Sequence, residues 1–201
     1  MSISRTAILP RTEFVRDARL FVIAVEGEKT EVQYFSDFGN TRVKVEILSA
    51  GTKGLSAPNH ILERIVKFEE ENDLGPEDER WLVFDVDRQR KHFLNEVAKV
   101  ARESGYNLAI SNPCFELWLL LHFQDADLAD VDCAAVIAHL RPHIGGYKKS
   151  KINLEAYTAN KTNEAVTRAR ALEGKQGTRW PGFPGTHVFK LVEALLHFHS
   201  G

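Results

Sequence analysis

Apolar residues along this chain fall into unbroken runs and spaced runs, and the two kinds alternate. Leu20–Val25 and Trp81–Phe84 are continuous and β-rich, the pattern of strands covered on both faces of a parallel sheet. Val43–Leu48 and Tyr106–Ile110 predict two further strands. Between these lie helical spacings. Thr30 is placed to cap a helix running through Phe38, with Tyr34, Phe35 and Phe38 on its inner face. Ile61, Leu62, Ile65, Val66 and Phe68 mark a helix over 58–72, reached by a turn at Gly51–Gly54. Gly75-Pro76 breaks the chain before the third strand, and a helix over 91–104 stops at Gly105. Ser111-Asn112-Pro113 opens a very apolar helix, Cys114–Phe123, with Pro113 in its first turn and Asn112 best read as its cap.

From about residue 130 only helices are expected, over 131–141, 153–173 and 186–198, separated by loop-like stretches at Gly145–Lys151 and Gly174–Gly185. The order β-α-β-α-β-α-β-α predicts a three-layer α/β fold with a mostly parallel central sheet flanked by helices. The expected divisions are an N-terminal arm at 1–18, the α/β domain at 19–125, and an all-helical C-terminal extension at 126–201 packed on it.

Chemistry collects where two of the strands end. The first strand runs into Glu26-Gly27-Glu28-Lys29-Thr30-Glu31 and the third into Asp85-Val86-Asp87. Ligand sites in open α/β sheets lie beyond the carboxyl ends of the strands. If strands one and three are neighbours, Glu26 and Asp85 leave the sheet at one height, and Asp85 and Asp87 point to one side. Glu26, Asp85 and Asp87 are then candidate ligands for magnesium, or manganese in its place, because such ions take a few carboxylates plus water and phosphate oxygens. Gly27 allows a sharp turn without a Cβ. Glu31 either adds a second-site ligand or faces the dipole of its own helix, the latter being the better reading. Glu116, alone with His122 as a strongly polar side chain in its apolar helix, is a candidate ligand, base or orienter of a lysine. His122 itself reads as a packed or surface histidine rather than a catalytic one. Lys29 and Arg88 either steer a phosphate or neutralise the acids, and Tyr147, Lys148, Lys149 and Lys151 read as a phosphate-backbone contact or as an exposed loop.

These residues carry a resemblance. An apolar strand ending in Val25-Glu26-Gly27 and a later one ending in Asp85-Val86-Asp87 resemble the Toprim fold of topoisomerases, primases and OLD-family nucleases. With Tyr34-Phe35, the stretch Ser111–Phe123 and Tyr147-Lys148-Lys149 added, the chain from about 20 to 198 resembles the RloB-like family, which is associated with abortive infection and restriction-linked loci, often beside an ATPase. Where that family tends to have Asn-Pro-Ser-Thr, this chain has Phe183-Pro184-Gly185-Thr186. The resemblance implies a metal-dependent nuclease in bacterial antiphage defence, with DNA or RNA as substrate and an ATPase as partner, a homodimer being open. The competing expectation is a regulatory module that senses a nucleotide or Mg²⁺ in the same cleft without turnover.

Composition adds limits. The 201 residues are 43% hydrophobic and 27% charged, with a net charge of −2. That balance conceals a gradient: residues 1–132 carry 16 Lys and Arg against 24 Asp and Glu, and residues 133–201 carry 10 against 4, a basic third suited to a polyanion or simply a solvated surface. No apolar stretch approaches the roughly 20 residues of a membrane span, and Met1–Asp17 has no signal core, so a cytoplasmic location is expected. Cys114 and Cys133 read as isolated thiols, which favours a reducing compartment, argues against structural zinc, and leaves Cys114 a buried cysteine before a nucleophile. A dinucleotide fingerprint and a P-loop are both missing.

Overall fold

The computed structural model describes residues 18–50, 58–86, 91–126, 132–173 and 179–198. The alternation forms as expected: β1 (Arg19–Val25), α1 (Thr30–Ser36), β2 (Val43–Leu48), α2 (Pro58–Glu71), β3 (Glu79–Asp85), α3 (Lys91–Glu103) and β4 (Asn107–Asn112). Beyond them come α4 (Glu116–Leu121), α5 (Cys133–Ile144), α6 (Ala159–Glu173), β5 (Gly185–Thr186) and α7 (Val188–His197). The sheet runs β2-β1-β3-β4-β5. Its first four strands are parallel and β5 is antiparallel to β4. The expected arm, apart from Ala18, and the Gly51–Gly54 turn lie outside the described residues.

Strand alternation divides the core into two layers, one on each face of the sheet. Phe21, Ile23 and Val25 of β1, with Trp81 and Val83 of β3, pack against Tyr34 and Phe35 of α1, the whole of α4 after Glu116, and the inner sides of α5, α6 and α7. Val22, Ala24, Leu82 and Phe84 point the other way, onto Ile61 and Ile65 of α2 and Leu94, Val97 and Ala101 of α3. Both faces of the central strands are dry, so neither tolerates alternating polar residues, and the runs in the sequence are continuous for that reason.

Several boundaries differ from the expectation. Ser111 and Asn112 belong to β4, and α4 begins only at Glu116, so Pro113 precedes the helix. Asn112 caps nothing; its amide donates to the Gly182 carbonyl at 3.2 Å and ties β4 to the chain leading into β5. Thr30 is the first residue of α1, Lys29 holds the cap position, and the Thr30 hydroxyl bonds elsewhere. The extension is not all helical. Gly185–Thr186 adds a fifth strand, anchored by the buried Ser111–Thr186 hydroxyl pair at 2.9 Å and by the Thr186 oxygen accepting from the Val188 amide. The expected helix over 153–173 divides into a 3₁₀ turn, Leu154–Ala156, and α6. The helix expected to stop at 141 continues through Pro142 to Ile144, where Gly145, at φ 68°, ends it in the left-handed region.

Candidate active site

The register places Val25, the last residue of β1, beside Val83, and β3 runs on two residues to Asp85. Glu26 continues that pairing, its amide donating to the Val83 carbonyl at 2.9 Å. Its carboxylate turns across to Asp85, whose backbone amide donates to Glu26 Oε2 at 3.3 Å. Asp85 ends β3, Glu31 comes from the first turn of α1, and Glu116 opens α4. Together with Glu28, Lys29 and Lys149 these four acids line one cleft of about 390 Å³. The expected meeting of Glu26 and Asp85 beyond the sheet is what the chain forms. Asp87 and Arg88 lie outside the described residues.

Gly27 has a different reason from the one expected. Its φ is not positive; instead a Cβ there would overlap the Glu31 carboxylate. The small residue leaves room for the Glu31 carboxylate over the loop, where it lines the cleft while still facing its own backbone amide in the first turn of α1.

Burial raises the Asp85 carboxyl well above the usual aspartate range, and Glu31, Glu26 and Glu116 raise it further against the pull of Lys149. Burial also raises Glu31, with the Glu116 and Glu26 charges adding and its own backbone amide and Lys149 opposing. For Lys149, burial works to lower the ammonium, but Glu116, Glu31 and Asp85 outweigh it and the group is raised. Five acids, Glu28 included, thus line a basin that two lysines, Lys29 and Lys149, also line.

The loop after α5 is docked rather than free. The Tyr147 hydroxyl donates to Glu116 Oε1 at 2.7 Å and shares a 3.0 Å bond with the Thr30 hydroxyl. Lys149 Nζ stands 3.2 Å from the same Glu116 oxygen. Gln33 clamps the loop from α1, donating to the Lys149 carbonyl at 3.1 Å and accepting from the Ile152 amide at 3.1 Å. Glu116 therefore meets both a tyrosine and a lysine of this loop. Tyr147 is held by its hydroxyl, and its ring packs partly buried against the core. Lys148 and Lys151 are exposed and paired across a short bridge outside the cleft.

Arg64 was not visible as a site residue. It reaches from α2 so that Nη2 donates to the Val25 carbonyl at 2.7 Å, and Glu26 acts on its charge. A single arginine in an exposed-looking helix gives no sequence signal for this. His122 packs, as read: Nδ1 donates to the Trp118 carbonyl at 2.9 Å and Nε2 accepts from the Tyr34 hydroxyl at 3.2 Å. Burial lowers its pKa to about 4, so it stays neutral.

The cysteines are not isolated. Cys114 and Cys133 form a disulfide, with Cα atoms 5.8 Å apart, so Cys114 is no nucleophile in this state. Cys133 Sγ also lies 3.6 Å from Glu116 Oε2. Among the described residues, Cys114, Glu116 and Cys133 are the one trio of potential ligand atoms all within 4.8 Å of one another. The cleft acids are spaced more widely. Their hard oxygen donors still fit magnesium or manganese, which keep several waters and bridge to carboxylates through them. No described helix is long and apolar enough to cross a membrane.

The sequence model of the family described as RloB-like protein matches residues 21–195. No curated protein and no solved structure matches the chain.

Proposed function

The chain belongs to the RloB-like family, and we propose that its cleft is the active site of a Toprim-type phosphodiesterase, dependent on Mg²⁺ or Mn²⁺, that cuts nucleic acid in bacterial defence. The observation that carries this reading is the convergence of Glu26, Glu31, Asp85 and Glu116 on one cleft at the ends of parallel strands, with Asp85 and Glu31 both raised. Glu26, Asp85 and Glu31 would hold the ion; Asp87, the further ligand expected, lies outside the described residues. A bound divalent ion supplies polarisation of the phosphoryl oxygen and a hydroxide at neutral pH. Glu116 keeps Lys149 at the rim, and Lys149 with Lys29 faces the phosphodiester and offsets its charge. Removing water from this half-buried basin strengthens each of those contacts. An ATPase that gates access to nucleic acid fits as partner.

Cleavage of labelled DNA and RNA by wild type, Glu26→Ala and Asp85→Ala, with Mg²⁺, Mn²⁺ or chelator, tests the reading. Loss of about a thousandfold is expected, the scale of removing one preorganised electrostatic element. Mutants that cut as well as wild type would sink it. The wider spacing of the cleft acids favours one alternative, a sensor that binds a hydrated ion or nucleotide without turnover. Calorimetry showing binding, beside a silent cleavage assay, would select that alternative.

A further inference from the structure

The disulfide lies against the cleft, and its position gives it a second role. Cys114 is two residues ahead of Glu116, and Cys133 is the first residue of α5. From Cys133, α5 runs to Ile144 and delivers the Tyr147–Lys149 segment back onto Glu116. Glu116 is almost wholly buried, 3% exposed, so each donor it receives counts. Its Oε1 is held by Tyr147 and Lys149 at the far end of α5, and its Oε2 faces Cys133 Sγ at the near end.

We propose that Cys114 and Cys133 form a reversible redox site coupled to the acidic cleft through Glu116; as regulation of that cleft, the inference rests on the proposed function. In the reduced state the Cys133 thiol donates to Glu116 Oε2. In the bonded state the same sulfur has no hydrogen to give, and its lone pairs face the carboxylate. The two states therefore differ in the hydrogen bonding of one buried oxygen, on the residue that places Lys149 in the cleft. With the disulfide formed, Glu116 is held through Oε1 by Tyr147 and Lys149; reduction adds a donor at Oε2 that the bonded state lacks.

The chemistry balances with a low-molecular-weight disulfide such as oxidised glutathione. Cys133 is the more exposed of the two. Its thiolate attacks one sulfur of the oxidant, releasing the first reduced thiol and leaving a mixed disulfide. Cys114 then attacks Cys133 Sγ, the S–S bond forms, and the second thiol leaves. The two cysteines lose two electrons and two protons, and the oxidant is reduced to two thiols. A Cα separation of 5.8 Å lies in the usual range, so the bond closes without moving the backbone far. Two thiolates and a carboxylate would also suit zinc, but sulfurs bonded to each other present no thiolate.

The test equilibrates wild type, Glu116→Gln and Tyr147→Phe against glutathione buffers and counts free thiols by alkylation and mass spectrometry. With Glu116→Gln, the charge-assisted bond that favours the thiol form is lost, and the disulfide should become about tenfold harder to reduce, about 30 mV for a two-electron couple. Tyr147→Phe keeps the charge but removes a competing donor, so Glu116 leans on the thiol and the balance should move about twofold to threefold the other way. Opposite shifts support the coupling, and where one variant folds poorly the shift of the other in its stated direction decides. Midpoints within experimental error of wild type in the folded variants overturn it. Opposite shifts together with no cleavage in either redox state would leave the redox coupling standing and sink the phosphodiesterase reading instead.

Discussion

Replacing Gly27 with alanine tests whether Glu31 belongs to the cleft. A Cβ at this position would stand closer to the Glu31 carboxylate oxygens than real Cβ atoms come to anything. Gly27 is not in the left-handed region, so alanine fits its backbone and the whole effect comes from that overlap. Two responses are open. Glu31 stays and the site absorbs overpacking of about 1–3 kcal/mol. Alternatively its carboxylate swings away. The swing costs less, because burial already disfavours the Glu31 charge where it lies and departure relieves that. Metal-free Gly27→Ala should therefore unfold within about 1 kcal/mol of wild type in urea. Its Mn²⁺ affinity by calorimetry should fall about tenfold, about 1.4 kcal/mol. Glu31→Ala removes the same proposed ligand directly. If Gly27→Ala acts through Glu31, the double variant should match Glu31→Ala alone, a non-additivity of about 1 kcal/mol as contacting residues show. Wild-type affinity in Gly27→Ala, or losses that simply add, would refute the argument.

Other outcomes follow from single contacts. Asp85 is raised in the fold, so as pH climbs through the ordinary aspartate range toward the raised value, the unfolded chain loses its proton first and the metal-free protein loses stability, fully so above the folded value. Asp85→Asn should then melt higher than wild type at neutral pH, by about 2–4 °C for about 1 kcal/mol recovered. It should show no gain below the aspartate range, and a melting point equal to or below wild type at neutral pH would count against the raised carboxyl. Tyr147→Phe should cost about 1.5–3 kcal/mol, the scale of a hydrogen bond to a charged group, since it strips a 2.7 Å donor from Glu116; urea unfolding measures it, and a change below about 0.5 kcal/mol would show the loop docks without it. Thr186→Val leaves the Ser111 hydroxyl and the Val188 amide without their buried partner. A loss of about 1–3 kcal/mol in thermal unfolding is expected, and an unchanged melting curve would mean β5 is held by packing alone.

What the sequence disclosed and what it hid divide along a physical line. β1 and β3 are legible because burial on two faces demands apolar residues at every position, and that demand is written locally. Glu26 and Asp85 are legible for the same reason, being the first polar residues after those runs. Long-range partners leave no such trace. Gln33 matters because a loop more than a hundred residues later meets its turn of α1. Arg64 matters because α2 crosses the end of β1. The cysteines are 19 residues apart and meet only because α5 packs on α4. β5 has two residues, too few for any period, and its place in the sheet comes from Thr186 finding Ser111. Asp87, the third acid of the expected set, lies just past the described end of β3.

The cleft poses an energetic problem that bears on what fills it. Four carboxylates from separate elements are brought together by a core that has no use for them; Val25, Val83 and Phe115 beneath are among the driest residues of the chain. Burial and mutual repulsion raise Asp85 and Glu31, so the arrangement opposes folding in the metal-free state. Lys149 relieves part of the repulsion, but Glu116 holds it at one side. Electrostatic tension of this kind is most simply relieved by added positive charge, and a divalent ion binding only the folded chain would stabilise it by mass action. Stability that rises with Mn²⁺ in wild type and not in Asp85→Asn or Glu26→Ala is thus the thermodynamic face of the same cleft, measurable before any substrate is known. A wild-type melting point indifferent to divalent ions would mean that the acids are gathered for something other than a metal.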